Sequence, residues 1–372
     1  MMLSRNTYLA DIPADSYVSE DNSELCVHGW TVKNTIDCSL GTNPFGTPEK
    51  AREAFGTAAK GLHLSSYPEP WAQALQEALL EYWPDAGLTV DNIVLGAGSM
   101  GILQQYNTLF LAPGARLLGI APQFADYVRS AQVRGAKYEA VTLQLPELRI
   151  SLEKLLERLD QDIAAIYLDN PNNPTGQVLP LAKMEAIAAQ ALNCNTALIV
   201  DEAYGDFMPN ENSAINLITR YPNVAVARSF SKGWGLAGLR VGYGVISTEI
   251  KKLYDKIDMP FNIVDPAVTA ACAALAQPDF LTFSRKKVAQ VKKQIKQSLT
   301  CLIMSYTHDT TPIMTLTAPN PDIDLRQQFL RQGVLVVDGA EFSGLTSASV
   351  RLRVPADGNA LVQRLQAVEQ SL

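Results

Sequence analysis

The chain has 372 residues, long enough for one large and one small domain and too long for a single simple core. Apolar residues make up 47%, charged residues 19% and the net charge is −7, so nucleic acid is offered no basic footprint; there is also no apolar run fit for a signal peptide or a membrane span, and a cytoplasmic location is expected. Five scattered cysteines (Cys26, Cys38, Cys194, Cys272, Cys301) and three distant histidines (His28, His63, His308) form no CxxC pair and no ligand spacing, which argues against a metal site.

In chain order, residues 1–48 are punctuated by Pro, Asn and Gly and read as an arm. A helix is expected over 71–83, with Trp71, Leu75, Ala78, Leu79 and Tyr82 on one face. Strands follow at 92–96, 116–121, 138–144, 164–169, 197–201, 224–229 and 241–246, several of them unbroken apolar runs suited to burial on both faces. Helices are expected from 102 and over 151–159 and 181–192, and this alternation argues for an α/β unit with a mainly parallel sheet. After Pro260 the pattern changes: helices at 266–275 and 280–303, strands at 311–317, 333–337 and 349–354, then a closing helix at 359–372. The basic clusters in the second of these helices, Arg285-Lys286-Lys287 and Lys292-Lys293, read as a solvated face. The expected division is an arm over 1–48 packed with the small domain, a large domain over 49–262 and a small α+β domain over 263–372.

Four motifs fall at the carboxyl ends of expected strands, the edge where open α/β sheets bind ligands. Gly96-Ala97-Gly98-Ser99-Met100-Gly101 precedes a helix; glycines admit an anion close to the backbone and a helix start offers free N–H groups, although a Gly-rich turn is often only a turn. Asp169-Asn170-Pro171-Asn172-Asn173-Pro174-Thr175-Gly176 is a stiff loop. Asp201, in Val200-Asp201-Glu202-Ala203-Tyr204, is a carboxylate at the end of a buried strand, either a helix cap or the partner of a protonated ring nitrogen. Lys232 lies in Ser229-Phe230-Ser231-Lys232-Gly233-Trp234, an apolar, Gly-rich setting of the kind that lowers an ammonium pKa. Ser229, Ser231 and the later Arg240 can clamp a phosphate, the arginine as a charged fork.

In that order, NPNNPTG, DEAY and SFSKGWGLAGLRVGYG resemble the fold-type I pyridoxal 5′-phosphate (PLP) enzymes of the class I/II aminotransferase superfamily, in the branch of histidinol-phosphate aminotransferases and threonine-phosphate decarboxylases. The resemblance spans residues 28–354 and implies an aspartate aminotransferase-like fold, with a seven-stranded sheet in the large, PLP-binding domain. It implies that Lys232 holds PLP as a Schiff base and moves the substrate's proton, that Asp201 pairs with the ring nitrogen, that Asn173 and Tyr204 bond O3′, and that Phe124 stacks on the ring. Gly98, Ser99, Ser229, Ser231 and Arg240 would hold the phosphate, joined by Tyr67 from a neighbouring subunit, which implies a homodimer. Arg351 would grip the substrate carboxylate, and Asn43 belongs to the segment lining the substrate pocket.

Two departures bear on substrate. Histidinol-phosphate aminotransferases usually carry acidic residues where Met100-Gly101 stand, and an arginine for the substrate phosphate where Val337 stands. Losing a charged phosphate partner costs a few kcal/mol, so a different substrate is expected, a small amino acid acted on at its α-amino group. His28, in Val27-His28-Gly29, resembles the arm of threonine-phosphate decarboxylases and is read either as a substrate contact or as an exposed loop residue. Acidic arm residues (Asp11, Asp15, Glu20, Asp21) suit a guanidinium or amine, or are simply solvated. Transamination is the first reading. The same motifs also serve β/γ-elimination, replacement or cyclisation (for instance of a hydroxylated arginine) and decarboxylation, and a repurposed non-enzymatic role stands against the intact lysine.

Overall fold

Seven aliphatic runs, apolar on both faces, pair into one sheet that needs helices above and below it. The computed structural model describes residues 7–9, 12 and 34–372. After a two-residue arm strand β1 (Ile36–Asp37), the sheet comprises β2 (Ile93–Ala97), β3 (Arg116–Ala121), β4 (Lys137–Thr142), β5 (Ile163–Asp169), β6 (Ala197–Glu202), β7 (Val224–Ser229) and β8 (Val241–Ile246). Its order is β2-β8-β7-β6-β5-β3-β4, parallel except for β8, which runs antiparallel to both neighbours. Three of these strands fall on the expected ranges and four differ by one or two residues at their ends.

The helices are α1 (Glu49–Lys60), α2 (Gln73–Tyr82), α3 (Gly98–Phe110), α4 (Ala125–Val133), α5 (Leu152–Glu157), α6 (Leu181–Asn193), α7 (Thr248–Tyr254), α8 (Asp265–Leu275), α9 (Pro278–Ser298), α10 (Leu325–Arg331) and α11 (Gly358–Gln370). Alternation along the central strands decides which face each side chain serves. Leu198, Val200, Val224 and Val226 join a buried cluster with Leu75 and Leu79 of α2, Ile187 of α6 and Ala271 of α8. Ala197, Ile199, Ala225 and Ala227 join another with Tyr106 of α3 and Tyr127 of α4.

A four-stranded antiparallel sheet follows, made of β9 (Ile303–Met304), β10 (Ile313–Thr317), β12 (Val337–Asp338) and β13 (Ser349–Arg353) in the order β12-β13-β10-β9. Its own core takes Val288 and Ile295 from α9, Phe329 from α10 and Leu365 from α11. β1 pairs in parallel with β11 (Val334–Leu335), tying the arm to this unit.

Two expected elements are corrected. The helix read over 280–303 ends at Ser298, and Ile303–Met304 is a strand. The reason is tertiary: the Glu369 carboxylate accepts the backbone N–H groups of Thr300, Cys301 and Leu302, drawing the chain out of helical geometry. The strand read over 333–337 splits in two, Val334–Leu335 pairing with the arm and Val337–Asp338 with β13.

Candidate active site

The site lies at the carboxyl edge of the large sheet, beside β5 and β3, where the sequence order of the strands reverses direction. A cavity of about 150 Å³ opens there, with Asp169 of β5 and Asp201 of β6 in its wall.

One end is a cup for an anion. α3 begins at Gly98 itself, not at Ile102 as the sequence suggests, so the backbone of Gly98 and Ser99 forms the helix start. Gly98 has φ +71°, and a β-carbon there would come within 2.6 Å of Arg240 Nη2. Only glycine therefore suits the position, both for its backbone and for the guanidinium above it. Arg240 donates to Ser231 Oγ at 3.2 Å, and Ser229 Oγ lies 2.8 Å from Ser231 Oγ. A cationic fork, two hydroxyls and a helix start thus converge on one spot.

The other end is acidic. Asp169 and Asp201 are register partners at the ends of β5 and β6, and both line the cavity. Burial pushes the Asp201 carboxyl up to about 6, opposed by the Ala203 backbone N–H at 2.9 Å, by the Tyr167 hydroxyl at 3.1 Å and by the charge of Lys232. Asp169 rises to about 7, again chiefly through burial, against donation from the Asn173 backbone at 2.9 Å, Asn172 Nδ2 at 2.8 Å and the Phe124 backbone at 3.1 Å. One carboxylate therefore ties together two loops that meet at the cavity. Glu202, next in sequence to Asp201, points to the opposite face and pairs there with Arg228.

Between these ends lies Lys232, half-buried in the cavity wall. Its Nζ is 5.5 Å from the ring centre of Tyr204. A β-carbon at Gly41 would stand 2.9 Å from Lys232 Nζ and overlap the Tyr204 hydroxyl, so the arm closes directly over the amine. Asn43 Nδ2 donates to the Gly233 carbonyl at 2.7 Å and to Ser284 Oγ at 3.1 Å. Its amide thus braces the segment carrying Lys232, whereas the sequence reading has it lining the substrate pocket. Arg351, 2% exposed, donates to Asn173 Oδ1 at 3.4 Å and to the Ser39 carbonyl.

Of the residues singled out from sequence, Ser99, Phe124, Asn173, Asp201, Tyr204, Ser229, Ser231, Lys232 and Arg240 line this one cavity, with Gly98 at its helix start. Tyr67 does not join them: it is 82% exposed, with its ring on Phe261 at 4.9 Å. His28 and the acidic arm residues Asp11, Asp15, Glu20 and Asp21 lie outside the described residues. The sequence reading assigns no role to Tyr167, Asp169 or Gly41. The alternation that puts Tyr167 and Asp169 on the same face as Asp201 was a legible signal for the first two; nothing local marks Gly41.

The chemistry of these groups fits PLP: a glycine cradle that a β-carbon would fill, a buried carboxylate for a ring nitrogen, and an amine between them. Fold and site together define a PLP-dependent enzyme of the aminotransferase type. Residues 33–365 match the family model "Aminotransferase class I and II", and the chain belongs to that family. It is 31% identical over 328 residues to a histidinol-phosphate aminotransferase of Methanococcoides burtonii, covering 88% of each chain. Its fold superposes on that of a histidinol-phosphate aminotransferase from Sinorhizobium meliloti in complex with PLP, with TM-score 0.82, 24% identity and coverage of 100% and 99%. It also superposes on the aspartate aminotransferase of Thermus thermophilus with maleate, with TM-score 0.84, 20% identity and coverage of 99% and 100%. Among the described residues, no helix is long and apolar enough to cross a membrane and no cluster of metal-ligating side chains is found.

Proposed function

We propose that the protein is an aminotransferase acting on the α-amino group of a small amino acid, with a substrate other than histidinol phosphate. The observation that carries the substrate reading is Val337: it is 1% exposed and is the register partner of Arg351. A fully buried aliphatic side chain beside Arg351 adds no donor for a substrate phosphate. Met100, in the cavity wall, is likewise apolar.

PLP, when bound, supplies the electron sink that makes the substrate Cα–H acidic. The chain's own residues do the rest. Lys232 would hold the cofactor through Nζ and serve as the base for the proton on Cα. Asp201 would pair with the ring nitrogen, Asn173 and Tyr204 would bond the ring oxygen, and Phe124 would cover the ring face. Gly98, Ser99, Ser229, Ser231 and Arg240 would hold the phosphate, and Arg351, which donates to the Ser39 carbonyl, would bind the substrate carboxylate.

A homodimer is part of this reading. Leu64 (90% exposed), Tyr67 (82%), Met259 (61%) and Phe261 (41%) leave apolar surface open around the Tyr67–Phe261 ring contact, which suits burial against a second copy, with Tyr67 reaching the partner's phosphate cup. The arm over 1–48, the unit over 49–262 and the unit over 263–372 remain our division of the chain, with α8 of the last packed on the core of the large sheet.

The test is a scan of amino acids as donors to 2-oxoglutarate, with products identified by mass spectrometry and histidinol phosphate included. A preferred donor without a phosphate is expected. Histidinol phosphate as the best donor would overturn the substrate reading, and the absence of keto acid from every donor would overturn transamination.

A further inference from the structure

Behind Asp201 the sheet carries a buried aromatic pair that the assigned roles leave unexplained. Tyr167, on β5, is 0% exposed, and its ring stacks on Tyr127 of α4 with centres 3.6 Å apart and planes 15° apart. This stack, in a packed core, leaves the Tyr167 hydroxyl one direction to point. It donates to Asp201 Oδ2 at 3.1 Å, while Asp201 Oδ1 accepts from the Ala203 backbone at 2.9 Å. The Tyr127 hydroxyl, equally buried, has no hydrogen-bond partner among the described residues, so the pair is not a general polar network: one phenol serves the carboxylate and the other serves packing.

We propose that Tyr167 is a positioning residue that orients the Asp201 carboxylate and keeps it ionised toward the ring nitrogen of the cofactor. The inference rests on the reading of Asp201 given above. A carboxylate buried at the end of a strand is driven toward its neutral form, and hydrogen bonds to the charged form oppose that drive. Burial, with Asp201 and Asp169 nearby, pushes the Tyr167 phenol well above its ordinary range, so the phenol keeps its proton and can donate it to the ionised carboxylate. The groups facing or adjoining Asp201 are Tyr167 and Asp169 of β5, Tyr127 of α4, Lys232 and Tyr204 in the cavity wall, and Glu202 next along its own strand. Tyr167 donates a side-chain hydrogen bond to the carboxylate in the structure.

The experiment uses holoenzyme reconstituted with PLP labelled with 15N at the ring nitrogen, without substrate. In the unmodified protein the ring nitrogen is expected to stay protonated to higher pH than in Tyr167→Phe. The displacement should be about one pH unit, the equivalent of one hydrogen bond to a charged group, with PLP bound about ten-fold more weakly by the variant. Phenylalanine keeps the stack on Tyr127, and circular dichroism checks the fold. Tyr127→Phe should leave both readouts at the unmodified values. Unchanged titration and affinity in Tyr167→Phe would overturn the proposal, as would the same change in Tyr127→Phe, which would point to packing. If the unmodified protein takes up no PLP, the reading of the whole site fails with it; a protonated ring nitrogen in the unmodified protein together with an unaffected Tyr167→Phe removes only the role of Tyr167.

Discussion

Arg228 and Glu202 form an ion pair at 3.0 Å with side chains 2% and 0% exposed, on the face of the sheet opposite Asp201. Arg228 also reaches Asp206 at 2.7 Å. Two neighbouring carboxylates of one motif thus serve different ends, Glu202 structural and Asp201 facing the cavity. Removing Arg228 strands both of its buried carboxylate partners, at a cost of about 3 kcal/mol or more. Arg228→Met should lower the urea midpoint of unfolding accordingly. Glu49→Ala, which breaks the solvent-exposed pair with Arg52, should leave it in place.

Gly98→Ala adds a β-carbon at positive φ, directly under Arg240. The β-carbon, 2.6 Å from Arg240 Nη2, would push the guanidinium out of place, so PLP affinity should fall about ten-fold, the equivalent of one hydrogen bond to a charged group. Pyridoxal, which lacks the phosphate, should bind the variant and the unmodified protein alike. Equal losses for both compounds would remove Gly98 from the phosphate cup.

Lys232→Ala should leave the circular dichroism spectrum unchanged, because the lysine is only half-buried, and, on the role proposed for it, yield no cofactor trapped covalently by borohydride. Retention of trapped cofactor would refute that role. Arg351→Ala should raise KM by about ten-fold or more, since a hydrogen bond to a charged group contributes ~1.5–3 kcal/mol. An unchanged KM would take Arg351 out of the substrate site.

Asp201 and Asp169 carry folded-state pKa values raised to about 6 and about 7. The folded, cofactor-free protein therefore binds more protons than the unfolded chain, whose aspartates titrate near ~3.9. The contribution of these two groups to stability should be full below that range and fall as pH rises from about 4 to about 7, by up to ~1.4 kcal/mol per pH unit for each group. Asp169→Asn and Asp201→Asn should each flatten the slope measured by urea unfolding of the cofactor-free protein; an unaltered slope would show that the two groups ionise as they do in water.

The seven strands of the large sheet were legible because unbroken aliphatic runs such as Ala197-Leu198-Ile199-Val200 suit few other environments. The ends of α9 and the split at Val336 were not, because the Glu369 carboxylate and the arm strand β1 reach those stretches from distant parts of the chain. Eight of the nine pocket residues were legible for a related reason: they fall in short motifs at strand ends, where the edge of an open sheet gathers them, while Phe124 was named through the family resemblance.

What residue order and local pattern settle here is the alternation of strands and helices, the motifs at strand ends and the amine available to the cofactor. These depend on turn chemistry and on periods of two and 3.6 residues, which any short stretch carries within itself. The partner of each buried polar atom is another matter. That Tyr167 serves Asp201, that Asp169 binds two loops at once, and that Asn43 braces Gly233 all depend on which distant segments packing brings within about 3 Å, a condition set by the whole chain closing on its cores.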